Sequence, residues 1–166
     1  MGQRVSSGHV VRALLAVALA APSVHAFDAS GVWSGQYSCK LFNGTTAQVT
    51  STPSSLAISQ SGSTVVVSLD NAVSYAGYAI DDGKKGVAKG QMFLTRCGTD
   101  NLPAQGNAEI LRAAVKASAA ADAGTLVGFS VLDGDLGAGN GRQFGTCKYK
   151  YKRTSRTSPK LIGCVV

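Results

Sequence analysis

From Gly31 onward, apolar and polar residues alternate with a period of two, in short runs separated by turn-forming residues. That period marks half-buried β-strands, whose successive side chains point to opposite faces. In Gly31 to Leu41, Trp33, Tyr37 and Cys39 fall on one side and Ser34, Gln36 and Lys40 on the other. A polar stretch, Asn43 to Pro53, reads as a connection to a second strand around Leu56-Ala57-Ile58. Ser61-Gly62-Ser63 turns the chain into a third strand, Thr64 to Leu69, and Asp70-Asn71 turns it into a fourth, Val73 to Ile80. Asp81-Asp82-Gly83 is a hairpin signal leading to a fifth, Gly86 to Arg96.

After a Gly/Asn/Pro loop, Gly98 to Gly106, the segment Ala108 to Ala123 admits two readings. Asn107 as N-cap and Gly124 as a stop suit a helix. Against that, Leu111, Ala113, Val115 and Ala117 alternate with Arg112, Ala114, Lys116 and Ser118. We therefore expect a strand, hairpinned to another over Thr125 to Leu132, with a last strand over Arg142 to Arg153. Eight sequential antiparallel strands predict an all-β, up-and-down barrel, which leaves no exposed sheet edge.

The four cysteines, Cys39, Cys97, Cys147 and Cys164, lack the C-x₂₋₄-C knuckle of a zinc site and read as two disulfides. Three connectivities are open. If the first and last strands close the barrel with Trp33 opposite Arg153, Cys39 falls opposite Cys147. That register favours Cys39–Cys147 and leaves Cys97–Cys164 to pin the C-terminal tail.

The first 26 residues have the order of a secretory signal: Arg4 and Arg12, an apolar run from Ala13 to Ala21, Pro22, then Val24-His25-Ala26 before the cut. The expected mature domain is 27–166, periplasmic or secreted. Removal of the first 26 residues changes the chemistry, because both histidines, His9 and His25, lie within them. A Ser-His-Asp or Cys-His group and any His-ligated metal are then excluded. Glu109 is the only Glu left. No catalytic residue, metal or cofactor is predicted, and no apolar run approaches the roughly 18 residues of a membrane-spanning helix.

Gly31-Val32-Trp33 at the start of the first strand and Arg153 late in the last resemble the G-x-W and packed Arg of the calycin superfamily, which includes the lipocalins. A small, bacterial-style lipocalin-like barrel is the nearer comparison, since the helix after the last strand is missing. The resemblance implies a cup for a small apolar or amphipathic ligand. Its candidate lining aromatics are Trp33, Tyr37, Tyr75, Tyr78, Phe93, Phe129, Tyr149 and Tyr151.

Charge supplies a second functional expectation. The whole chain carries +7, but residues 27–141 hold seven basic and nine acidic residues, and 142–166 hold seven basic and no acidic ones. In the last strand Tyr149 and Tyr151 share a face with Cys147, while Lys148, Lys150 and Lys152 share the other. With Arg153 and Arg156 they form a candidate anion-binding strip for an anionic surface, a polyanion or an acidic protein. Nucleic acid is not expected, because the inward tyrosines offer the lysines no stacking platform. The plainer reading of the lysines is a solvated strand face.

Overall fold

A computed structural model describes residues 27–42, 47–82, 88–98, 107–135 and 142–164. The expected targeting segment, 1–26, lies outside them. The described chain forms β1 (Gly31–Phe42), β2 (Ala47–Ser61), β3 (Thr64–Leu69), β4 (Val73–Asp81), β5 (Lys89–Arg96), β6 (Asn107–Ala117), β7 (Gly124–Asp135) and β8 (Arg142–Ser155). Each strand pairs antiparallel with the next, and β8 returns to β1 to close the barrel. No helix among the described residues is long and apolar enough to cross a membrane.

The closing register is the one expected: Trp33 faces Arg153 and Cys39 faces Cys147. Disulfides join Cys39 to Cys147 and Cys97 to Cys164. The Ala-rich segment is strand as far as Ala117 and turns toward β7 after it, because β6 pairs with both β5 and β7, which satisfies its backbone without a helix.

One boundary needs correction. The polar stretch read as a connection up to Pro53 is strand from Ala47 onward, paired with β1 from Phe42↔Ala47 through Gln36↔Pro53. β3 ends at Leu69, opposite Leu56, so on its other side β2 has no β3 partner before Leu56. A one-sided strand tolerates both a polar composition and a proline. The β3–β4 turn closes with Ala72 N–H on the Leu69 carbonyl (2.9 Å) and holds Asp70 and Asn71 at φ 49° and 57°. Both values belong to the left-handed region that Asp and Asn tolerate best among non-glycine residues.

Inward positions build the core. Trp33, Ile58, Val65, Val67, Met92, Leu94 and Leu126 are fully buried. After β8 the tail crosses outside β2 and β3: Ser158 hydrogen-bonds Ser59, and Gly163 sits against Val66. Cys164 then fixes the tail at the end of β5 through Cys97.

Candidate binding face

At the end where β1 begins, Trp33 is fully buried and its indole N–H donates to the Ala29 carbonyl (3.0 Å). The Arg153 guanidinium lies 5.6 Å from the Trp33 ring centroid. Its Nε donates to Asp122 O, its Nη1 to Asp28 O and Ser30 O, and its Nη2 to Ser118 O and Ala121 O. A guanidinium has five N–H donors, and here every one has a backbone carbonyl. Burial lowers the Arg153 pKa, opposed by Asp28 and Asp122. Arg153 is therefore a plug that ties the N-terminal segment to the β6–β7 hairpin. It has no donor left for an anion, which removes it from the candidate anion-binding set. Gly31 belongs to the same closure: its φ is 132°, and a Cβ there would run into the Ser155 carbonyl.

Farther along the interior is a polar cluster that the sequence reading did not single out. Glu109, 5% exposed, accepts from Ser130 Oγ (2.7 Å) and Tyr149 OH (2.8 Å) on Oε1, and from Tyr75 OH (3.0 Å) on Oε2. Arg96 Nη1 approaches Oε2 at 3.8 Å. Burial, reinforced by Glu109, holds the Tyr75 and Tyr149 hydroxyls above the ordinary tyrosine range. Tyr37 stacks on Tyr149 at 6.1 Å, and Tyr151 hydrogen-bonds Ser54. Of the expected cup-lining aromatics, Trp33, Tyr37, Tyr75, Tyr149 and Tyr151 do point inward. All but the half-buried Tyr37 are at most 3% exposed.

The other three do not. Tyr78, Phe93 and Phe129 point outward. The reason is strand parity: Tyr75 and Tyr78 differ by three positions, Phe93 lies between the buried Met92 and Leu94, and Phe129 lies between the buried Gly128 and Ser130. Their aromatic character suggested a lining role that their positions forbid.

On the outer wall they meet. Tyr78 pairs with Phe93, Phe93 with Arg112, Arg112 with Phe129 and Phe129 with Lys148, a row of direct neighbours across five strands. Arg112 stacks 5.7 Å over Phe93 and donates to Gln91 Oε1 through Nε (3.0 Å) and Nη2 (2.6 Å). Ile110 and Val131 pair on one side of this row, and Val127 pairs with Lys150 on the other. The apolar members are 40–63% exposed. Lys148, Lys150 and Lys152 are exposed, with no carboxylate in ion-pair range among the described residues. Arg156, by contrast, is engaged by Asp122 (3.5 Å) and the Ala119 carbonyl (3.1 Å). No grouping of metal-ligating side chains occurs among the described residues.

Comparison with protein-family models, curated proteins and solved structures finds no match. Strand parity was the signal for what the sequence reading missed. Extending the inward series Leu111, Ala113, Val115 back by two reaches Glu109, and the outward series reaches Arg112.

Proposed function

We propose that this chain is an exported, non-enzymatic β-barrel module that docks on an anionic lipid surface through the outer wall of β4 to β8. The observation that carries this reading is the unbroken row Tyr78–Phe93–Arg112–Phe129–Lys148, flanked by exposed Ile110, Val127 and Val131. Exposed apolar side chains contiguous across several strands mark an interaction surface rather than scattered solvent exposure. Cations interleaved among them call for a partner that is both apolar and acidic.

A lipid surface meets both needs. Lysines near an anionic leaflet contribute about 1 kcal/mol each, and aromatic rings favour the headgroup level. A nucleic acid would engage the rings but leave the branched aliphatics without a partner. Because Arg112 and the lysines interrupt the apolar side chains of the outer wall, where a bilayer-spanning barrel presents an apolar band, the contact is docking rather than insertion. Two disulfides suit the oxidising compartment that export implies. The alternative reading, a small apolar ligand in the cup, has less support, since the inward tyrosines pack on one another and on Glu109.

The test is co-sedimentation with phosphatidylcholine vesicles, with and without phosphatidylglycerol. Binding should require the anionic lipid, weaken with salt, and fall on Phe93→Ser with Phe129→Ser or on Lys148→Ser with Lys150→Ser. Binding indifferent to anionic lipid, or unchanged in both variants, overturns the reading.

A further inference from the structure

Beside the outer wall, at the end where the β6–β7 hairpin turns, lies a recess of about 700 Å³. Small-molecule sites fall in this size range. Its lining includes Lys116, Thr125 and Lys152 together with small residues such as Ala117, Ala121 and Gly124. Lys116 pairs with Thr125 and Thr125 with Lys152, so the three stand in one outward row. Adjacent strands lie about 5 Å apart, which sets the two lysines about 10 Å apart at their bases with the Thr125 hydroxyl between. Two flexible ammonium groups can close that distance around one small anion.

Three features favour an anion here. No lining residue is acidic. The nearest hairpin carboxylate, Asp122, is engaged by Arg156 at 3.5 Å. The hairpin is also held in place: Arg153 donates to the Ser118, Ala121 and Asp122 carbonyls, and Arg156 to Ala119. A recess fixed in this way costs little ordering on binding. The Ala-rich composition that made Ala108 to Ala123 ambiguous as sequence is what leaves the space open.

We propose that this recess binds a phosphate-bearing group between Lys116 and Lys152, with Thr125 donating a hydroxyl hydrogen bond, and that it seats the headgroup of a lipid lying on the outer wall. Only the second part rests on the lipid-docking reading. The phosphate site itself stands on the recess.

Amide chemical shifts of the intact, disulfide-bonded protein test it, in titrations with inorganic phosphate, glycerol phosphate and short-chain phosphatidic acid below its micellar concentration. Saturable shifts are expected at Lys116, Ala121, Gly124 and Thr125. Lys116→Ser with Lys152→Ser should weaken binding about tenfold or more, a change of about 1.4 kcal/mol. Tighter binding of phosphatidic acid than of glycerol phosphate, with added shifts at Phe129, supports a lipid headgroup. Equal binding of the two overturns that part and leaves a site for free phosphate. No saturable shift from any of the three, or shifts undiminished in the double variant, overturns the site. Vesicle binding by the wall survives that outcome, so the two failures are distinguishable.

Discussion

The Tyr149 hydroxyl donates to Glu109 Oε1 at 2.8 Å, joining β8 to β6 through the barrel interior. Ser130 and Tyr75 complete the ring of donors around the same carboxyl group. Removing one donor and removing the shared acceptor therefore have unequal effects. Tyr149→Phe should cost about 1–2 kcal/mol, the worth of one buried hydrogen bond. Glu109→Leu leaves three buried hydroxyls without their acceptor and should cost about 3 kcal/mol or more. Urea unfolding of the two variants measures the difference, and equal losses would show that the ring does not act through Glu109.

Arg153 and Trp33 close the opposite end. Arg153→Lys keeps the charge and offers three donors where five carbonyls now wait, in a shape that cannot fan across them. A loss of about 2–4 kcal/mol is expected, from stranded buried carbonyls and the forfeited ring contact. A thermal melt should register it, together with faster hydrogen exchange in the β6–β7 hairpin. A melt matching the parent protein would rule out the plug as a stabilising device.

The inward tyrosines set an alkaline limit. Burial raises the pKa values of Tyr75, Tyr149 and Tyr151, the last to about 12. An unfolded tyrosine ionises near pH 10, as judged from model peptides. The folded chain thus holds protons that the unfolded chain has already lost. Stability from this source is intact below about pH 10 and falls as pH rises toward 12. Phenolate absorbance from these rings should appear together with loss of the β circular-dichroism signal. Their ionisation well before unfolding would contradict the buried placement.

The two disulfides should separate on selective removal. Cys97→Ser with Cys164→Ser frees the tail from β5 while the eight strands keep their pairing, so spectra should change little and proteolysis should begin in the tail. Cys39→Ser with Cys147→Ser removes a bridge across 108 residues of chain, which chain-entropy arguments value at about 4–5 kcal/mol. The same argument values the tail bridge, across 67 residues, at about 4 kcal/mol, so denaturant midpoints should fall by similar amounts. The first site of proteolysis tells the variants apart: initial cleavage in the tail of the Cys39→Ser with Cys147→Ser variant would contradict the two roles.

Alternation carried most of the fold. It placed the strand order and the outward lysines, because period two is a direct print of the pleat, while the β1–β8 register followed only from setting Trp33 opposite Arg153. It failed at Ala47–Pro53, where a strand paired on one side needs no apolar face to hold it. The site was legible only in part. Trp33, Tyr75 and Tyr149 were placed inside, but Phe93 and Phe129 were chosen for being aromatic when their parity turned them out. The cross-strand row that brings Tyr78, Phe93, Arg112 and Phe129 together depends on the registers of three consecutive pairings. No single stretch of sequence contains that row.

The position of the Cys39–Cys147 bridge has a mechanical consequence. It sits in the seam where the first strand meets the last, so the chain from 39 to 147 is a covalent ring that contains β2 to β7. Tension applied at Gly31 and Ser155, the outer ends of those two strands, passes along the start of β1, through the sulfur atoms, and out along the rest of β8. The six strands within the ring bear none of that load, and the barrel can lengthen under force only by peeling its outermost segments.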